Sequence, residues 1–208
     1  MTIASIVLAA GKGTRMRSKL PKVLHPLAGK PMVWHALQAV NGLTDLAPVL
    51  VVGYQAEAIR EAMGPSCQYI LQEEQLGTGH AVACVRSLLS GKADTLLVTF
   101  GDMPLLRKES LEKLIQMHQQ TNSPVTMTSF IGDEARGFGR VVRNERGEVT
   151  AIVEQVDATP EQLAIREYNV SAYCFAADWL WSALDKIPVS PKGEYYLTDV
   201  VGLALAEG

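Results

Sequence analysis

A glycine-containing loop near the N-terminus has the residue types needed to hold a phosphate. The stretch Leu8–Met16 reads LAAGKGTRM and directly follows an apolar segment. Gly11 and Gly13 let the backbone approach a ligand closely, and consecutive N–H groups in such a loop can surround an anion. A Walker A loop continues with Lys and Ser or Thr, and a dinucleotide fingerprint has a third glycine. Thr14 and Met16 stand at those positions, so the loop belongs to neither class.

Basic residues are concentrated around this loop. The first 30 residues contain six lysines and arginines and no acidic residue, whereas the whole chain has a formal net charge of −3. That balance argues against general nucleic-acid binding but suits a local site for an anionic small molecule. Arg15 and Lys22 are the cations expected to reach the phosphates. A solvated basic face without a ligand is the plain alternative.

An aspartate in the stretch GDMPLL (101–106) is a candidate metal ligand. Asp102 follows the apolar segment TLLVTF and precedes Pro104, which stiffens the turn. Such an aspartate can simply cap a turn. Beside a phosphate loop it is better suited to hold Mg²⁺, which takes one or two carboxylates and completes its shell with phosphate oxygens and water.

A second glycine-flanked turn lies in LQEEQLGTGHA (71–81). Gly77 and Gly79 flank Thr78 at the expected start of a helix, where backbone groups can contact a base edge or a phosphate. Gln72 has an amide that can hydrogen-bond to a base. Taken alone, this motif is weak evidence for a ligand site, because a capped helix N-terminus without a ligand has the same pattern.

Alternating strands and helices are expected to position these three segments. Apolar runs at 3–10, 48–53, 67–71 and 95–100 alternate with amphipathic segments at 31–40, 55–64, about 78–89 and 107–121. Strands that are apolar throughout and separated by helices indicate a parallel sheet covered on both faces. Ligands of such sheets collect beyond the carboxyl ends of the strands, where all three segments fall.

The second half of the chain has a different pattern. The segments 124–130, 139–144 and 147–155 alternate apolar and polar residues between Asn and Gly turns, which predicts a small antiparallel addition. A further strand at 168–177, a helix at 178–187 and a last helix from about Leu197 complete the chain. We therefore expect one α/β domain, residues 1–208, with a mostly parallel central sheet.

The cysteine, histidine and hydropathy patterns limit the other classes of protein to which this chain can belong. Three widely spaced cysteines and four histidines show neither a disulfide framework nor metal-ligand spacing. No apolar stretch approaches the ~20 residues of a membrane span, and no secretion signal is evident. A cytoplasmic protein is expected.

Six motifs, taken in order, resemble one family. LAAGKGTRM with LPKVLHPLAGKPM is similar to the signature of the sugar-phosphate nucleotidyltransferases. With EQLGTGHA, GDMPLL, GFGRVV, IVEQVDAT and GEYYLTD, the set resembles the uridylyltransferase domain of the bifunctional N-acetylglucosamine-1-phosphate uridylyltransferases. The resemblance runs over nearly all 208 residues. It implies a Rossmann-like nucleotidyltransferase fold and a reaction in which UTP and N-acetylglucosamine 1-phosphate give UDP-N-acetylglucosamine and pyrophosphate, for peptidoglycan and cell-wall synthesis.

The resemblance also implies roles for individual residues. Arg15 and Lys22 would neutralise the reacting phosphates, and Asp102 would hold Mg²⁺. The amino-sugar would be held by Gly139, Glu154 and Asn169. Nucleotide contacts would come from Leu8, Ala9, Ala10, Gly11, Gly13, Thr14, Gln72, Gly77, Thr78, Phe100 and Gly101.

Two departures from the family pattern leave alternatives open. The family usually reads Asn-Thr-Gly where this chain has Asn169-Val170-Ser171, so the sugar is less certain than the reaction. The family domain also continues beyond this chain with a second metal ligand, an asparagine, and then a β-helix that builds a trimer. We expect no acetyltransferase activity and a monomer, from a truncated or naturally short chain. The alternatives are another sugar phosphate or NTP, or a catalytically weak nucleotide-binding fragment.

Overall fold

The computed structural model describes residues 1–133 and 137–207, with every side chain in these ranges except that of Arg15. The strands are β1 (Ile3–Ala9), β2 (Pro26–Leu27), β3 (Lys30–Pro31), β4 (Val49–Val52), β5 (Gln68–Leu71), β6 (Thr95–Phe100), β7 (Val125–Ile131), β8 (Arg140–Arg143), β9 (Val149–Val153) and β10 (Glu167–Ala176). The helices are α1 (Met32–Val40), α2 (Ala56–Met63), α3 (Thr78–Ala83), α4 (Arg86–Leu89), α5 (Lys108–Thr121), α6 (Pro160–Leu163), α7 (Ala177–Leu184) and α8 (Asp199–Glu207).

Four parallel strands form the first half of the main sheet, in the order β5-β4-β1-β6. Leu8 of β1 lies beside Val51 of β4 and Phe100 of β6, so these strands end at one edge. Every residue of β1 is buried. The apolar runs of β1, β4 and β6 are therefore explained by burial on both faces of the sheet, whereas β5 lies at its edge and is partly exposed.

Antiparallel strands continue the sheet on the other side of β6. The long strand β10 pairs with β6 and β7 through its second half, and with β7 and β8 through its first half. Strand β9 then pairs with β8. The expected α/β class, a central parallel sheet with an antiparallel addition in the second half, is confirmed. The division into one domain, residues 1–208, stays a prediction.

Two layers of helices cover the sheet. Helices α3, α4, α7 and α8 pack on one face, against Ile6, Leu8 and the other side chains of β1 that point that way. Helices α1, α2 and α5 pack on the opposite face, against Ile3 and Val7. Because side chains alternate along a strand, β1 supplies apolar residues to both cores.

The structure differs from the expected helices at two places. The helix expected over 78–89 is two helices, because Val85 N–H donates to the Val82 carbonyl, a tight i→i−3 bond that interrupts the regular helix. The last helix begins at Asp199, two residues after the expected start near Leu197, because Asp199, Val200 and Val201 donate their N–H groups to carbonyls three residues back, in a tight turn that precedes the regular helix. Two further features were not expected: the β2–β3 hairpin, and α6, which starts with a capping box of Thr159 and Gln162.

Within the described ranges no helix has the length and apolar character needed to cross a membrane. Cys67, Cys84 and Cys174 are all free, as their spacing predicts.

Candidate functional site

A cavity of about 670 Å³ opens at the carboxyl edge of the parallel strands. The end of β1 and the loop after it line the cavity, and so does the segment before α8. Such a volume is within the usual range for small-molecule sites. The lining residues are Leu8, Ala9, Ala10, Gly11, Lys12, Gly13, Lys22, Val23, Gln72, Gln75, Gly77, Thr78, Ala81, Phe100, Asp102, Glu154, Ser171, Tyr173, Glu194, Tyr196, Leu197 and Thr198.

The loop after β1 has a close backbone approach at Gly13. Its φ of 60° is left-handed, and a Cβ at this position would lie 2.5 Å from Lys22 Cβ. Any other residue would therefore meet both backbone strain and a steric clash. Gly13 is what lets the chain fold back so that Lys22 lies at the cavity. The side chain of Arg15, the other expected cation, lies outside the described part of the structure.

Lys22 and Asp102 form an ion pair at the edge of the cavity. Lys22 Nζ lies 2.5 Å from Asp102 Oδ2, and the side chains are 37% and 32% exposed. Asp102 is held there by the turn after β6, in which Gly101 N–H donates to the Leu8 carbonyl. Two residues 80 positions apart thus place opposite charges where phosphates and a cation are expected.

The donor set at Asp102 suits a hard cation such as Mg²⁺. The group is a partly exposed carboxylate with open cavity beside it. No cluster of three or more His, Cys, Asp or Glu side chains exists among the residues that the structure describes. A cation here would take its other ligands from phosphate oxygens and water, which is the usual way in which Mg²⁺ is bound with nucleotides.

The turn before α3 forms the wall next to the glycine loop. Gln72, only 3% exposed, donates from Nε2 to the Gly77 carbonyl at 3.0 Å. Gly77 has a φ of 97°, and a Cβ there would lie 2.5 Å from the Tyr195 carbonyl oxygen. The Thr78 hydroxyl accepts from Leu197 N–H at 2.9 Å. The stretch GEYYLTD is therefore docked on LGTG through main-chain contacts that need glycine.

Glu154 is the main charged group on the opposite side of the cavity. The Thr198 hydroxyl donates to Glu154 Oε1 at 3.3 Å. Burial raises the pKa of the Glu154 carboxyl, and the neighbouring carboxylates of Asp157, Asp199 and Glu194 raise this pKa further, against the lowering effect of the Thr198 bond. Burial and Asp157 likewise raise the pKa of Asp199. This side of the cavity is acidic, whereas the glycine-loop side contains Lys12 and Lys22.

Asn169 is buried in the sheet and is engaged by its own strand. Its Nδ2 donates to Tyr173 Oη at 2.5 Å, and its Oδ1 accepts from Ser171 N–H at 2.9 Å. These bonds close a bulge in β10, where the pairing with β7 shifts between Asn169 and Tyr173. Ser171 takes a φ of 62° in this bulge and lines the cavity. The position where the family usually has glycine is thus one that needs a left-handed backbone.

Most of the residues expected at the site line this one cavity. Four expected residues stand outside its lining: Thr14, Gly101, Gly139 and Asn169. Thr14 is exposed in a 3₁₀ turn, Gly101 packs under Ala9, and the Gly139 carbonyl accepts from Asn169 N–H. The roles in binding of all the expected residues, inside and outside this lining, stay predictions.

Several lining residues were not singled out from the sequence. Lys12 belongs to the basic loop, and Glu194, Tyr196 and Thr198 belong to the motif GEYYLTD, so both had a signal. Gln75 likewise belongs to the motif EQLGTGHA. Tyr173 had no such signal, because it reaches the cavity only through the folding of distant segments.

Comparisons with known proteins identify the type of domain. Residues 5–187 match the MobA-like NTP transferase domain. The chain is 47% identical over 205 residues to the bifunctional protein GlmU of Exiguobacterium sibiricum, covering 98% of this chain and 46% of that protein. GlmU of Enterococcus faecalis is also 47% identical, with 98% and 45% covered. The chain thus spans less than half the length of these relatives. The matches confirm the resemblance drawn from the six motifs.

Solved structures show the same fold at low sequence identity. A UDP-glucose pyrophosphorylase complexed with UDP-glucose superposes with a TM-score of 0.80 at 17% identity, covering all of this chain and 88% of that one. A putative glucose-1-phosphate thymidylyltransferase from Bacillus anthracis gives a TM-score of 0.77, also at 17% identity, covering 99% of this chain and 84% of that one.

Proposed function

The chain belongs to the family of MobA-like NTP transferase domains, and on this premise we propose that it is a nucleotidyltransferase acting on a sugar phosphate. The proposed reaction transfers UMP from UTP to N-acetylglucosamine 1-phosphate and releases pyrophosphate. The bifunctional GlmU relatives, which match over 98% of the chain, support this choice of substrates.

The observation that carries the proposal is that a single cavity joins all the required groups. The glycine loop, the Lys22–Asp102 pair, the Gln72–Gly77 turn and Glu154 line the same space. Backbone N–H groups and Lys22 can hold phosphates, Gln72 can hydrogen-bond a base, and Glu154 can accept from sugar hydroxyls. The proposed reaction needs these three functions side by side.

The chemistry requires positioning and charge neutralisation and no protein nucleophile. A phosphate oxygen of the sugar phosphate attacks the α-phosphorus of UTP, a new P–O bond forms, and the bond to pyrophosphate breaks. The attacking oxygen is already ionised, so no general base is needed. Lys22, and in the proposal Arg15, reduce the repulsion between the two anions and stabilise the charge that develops.

Asp102 is the residue proposed to hold Mg²⁺. When bound, Mg²⁺ would neutralise phosphate charge and orient the triphosphate. Lys22 is a compact point charge beside Asp102, so both groups serve the same edge of the cavity. Leu8, Ala9, Ala10 and Gly11 have no polar side-chain atoms, so the nucleotide contacts proposed for them would use the main chain.

A second candidate is a transferase for a different sugar phosphate, such as glucose 1-phosphate. It is favoured by the engagement of Asn169 with Tyr173 and Ser171, which leaves that amide bonded within β10. In this alternative, Glu154 still binds sugar hydroxyls. What this alternative lacks is a contact from Asn169 to the acetamido group of the sugar.

A cytoplasmic location and a monomeric state complete the proposal. The three free cysteines suit a reducing compartment. Sedimentation equilibrium would test the monomer directly.

Pyrophosphate release tests the proposed function. The chain would be supplied with UTP and Mg²⁺ and with either N-acetylglucosamine 1-phosphate or glucose 1-phosphate, with EDTA as the metal-free arm. We expect release with the acetylated sugar that stops with EDTA. Preference for glucose 1-phosphate would establish the second candidate, and no release with either sugar would contradict both.

A further inference from the structure

The amide of Gln72 is held by two hydrogen bonds at the same end. Gln72 Nε2 lies 3.0 Å from the Gly77 carbonyl oxygen and 2.9 Å from His80 Nδ1. Gln72 itself is almost fully buried and lines the cavity. The two partners are near each other because Gly77 is the N-cap of α3 and His80 lies in its first turn.

The chemistry of these partners determines which end of the amide faces them. A backbone carbonyl can only accept, so the atom of Gln72 that faces Gly77 must be the nitrogen. The nitrogen has two hydrogens, and the second is directed at His80. His80 Nδ1 must then be the unprotonated acceptor, with its proton on Nε2, which lies 3.9 Å from Cys84 Sγ. Both donors of Gln72 are used inside the protein.

We propose that His80 is a positioning residue that makes Gln72 present only its carbonyl oxygen to the nucleobase. The inference rests on the proposed function and deepens it. Because both hydrogens of Nε2 are occupied, any further hydrogen bond from the Gln72 side chain must be accepted by Oε1. An acceptor selects a base edge that carries an N–H donor. Uracil has such a donor at N3, whereas N3 of cytosine is an acceptor and meets Oε1 with repulsion. The N–H donor of cytosine is its N4 amino group, so cytosine can bond to Oε1 only if the base shifts from the position that uracil takes.

Removing the His80 acceptor removes one of the two hydrogen bonds that fix the Gln72 amide. One N–H of Gln72 would then lack a partner in a buried place, and the side chain would gain a reason to turn this donor toward a ligand. A turned amide gives up the remaining bond to the Gly77 carbonyl, one bond in the variant against two in the wild type, and offers N–H to cytosine N3. His80 therefore acts on the choice of base through Gln72, without itself touching the nucleotide.

The test compares UTP and CTP affinity, measured by calorimetry with Mg²⁺ present, in the wild type and two variants. His80→Ala removes the acceptor while keeping a good helix former in α3. His80→Asn keeps an oxygen near the position of Nδ1. His35→Ala is the control, because His35 bonds to the Leu27 carbonyl away from the cavity.

We expect the wild type to prefer UTP and the ratio of affinities to fall about tenfold in His80→Ala, the scale of one hydrogen bond. His80→Asn should restore most of the ratio, and His35→Ala should not change it. UTP and CTP weakened equally by His80→Ala would mean a merely structural role and would overturn the inference. A wild type that binds UTP but has no preference over CTP would also overturn it.

A further measurement uses only the wild type, so its result does not depend on whether a variant folds. UTP methylated at N3 lacks the donor, so the wild type should bind it at least tenfold more weakly than UTP. Equal binding of the two would refute the role given to Oε1. If instead no uridine nucleotide binds at all, the proposed function fails, and this result is distinguishable from a failure of the His80 role alone.

Discussion

The parallel and antiparallel halves of the sheet build their sides of the cavity from different groups. On the parallel side, β1 is buried throughout, and the loop after it lines the cavity mainly with small residues, Ala9, Ala10, Gly11 and Gly13. On the antiparallel side, the strands are partly exposed and line the cavity with Glu154, Ser171 and Tyr173. Small residues let the backbone approach a ligand closely, whereas Glu154 and Tyr173 offer polar side-chain atoms.

The two halves also differ in the sign of their charge. The glycine-loop side has two lysines, Lys12 and Lys22, and one carboxylate, Asp102, whereas the rest of the described lining has Glu154 and Glu194 and neither lysine nor arginine. An anionic group is attracted to the first side and repelled from the second. For the sugar phosphate that we propose as substrate, this difference favours an orientation with the phosphate toward the lysines.

Replacing Lys22 should give the largest effect, because it removes charge from the catalytic half. Lys22→Ala keeps the Cβ on which Gly13 packs, so we expect the fold to survive. Turnover should fall by roughly 10²–10³, the scale of losing one electrostatic stabiliser. Steady-state kinetics of pyrophosphate release would measure it.

Lys92→Ala is the matched control for this change, since Lys92 is an exposed lysine that does not line the cavity. It should leave turnover unchanged. If Lys22→Ala raised only the KM for the sugar phosphate, the assignment of Lys22 to the reacting phosphates would be wrong.

Replacing Glu154 should affect the sugar and leave the nucleotide alone. Glu154→Gln loses a charged acceptor, so the KM for the sugar phosphate should rise about 10- to 100-fold. The KM for UTP should change little. Glu145→Gln, in the exposed turn between β8 and β9, is the control and should change neither constant.

The same variant should be more stable than the wild type at neutral pH. The pKa of Glu154 is raised in the folded state, chiefly by burial, so the folded protein favours the protonated form. The stabilising contribution of this group is present below the ordinary glutamate pKa and is lost as the pH rises through the raised value. Thermal unfolding at pH 7 should give a higher Tm for Glu154→Gln; a lower Tm would contradict the burial argument.

Replacing Ser171 should give the smallest of these effects, a modest gain in stability. Ser171→Gly removes the strain of a left-handed serine, roughly 1–2 kcal/mol, against roughly 0.4–1 kcal/mol of added chain entropy. We expect the free energy of unfolding in urea to rise by about 0.5–1 kcal/mol. Ser182→Gly, within α7, should change this free energy by a similar amount in the opposite direction. A destabilised Ser171→Gly would show that the serine contributes more through contacts than it costs in strain.

The parallel half could be predicted in detail because its signals are local. The strand 95–100 was predicted residue for residue, and β1 within one residue. Asp102 comes soon after β6 and Gly13 soon after β1, and the carboxyl ends of these parallel strands must lie at one edge of the sheet. The topology therefore predicts that both residues reach the same cavity. The antiparallel half was predicted only as an addition, because half-exposed strands of similar pattern can pair in several orders.

By itself, the sequence determined the alternation of strands and helices, the edge of the sheet at which the cavity lies and the basic character of the loop there. These follow from periodicity and from the order of segments, which are readable along the chain. The tertiary structure alone decided that Asn169 bonds within its own strand, that Tyr195 docks on Gly77, and that Gln72 is held by His80. Such contacts depend on where side chains and distant segments meet in three dimensions, and the spacing of residues along the chain does not encode that meeting.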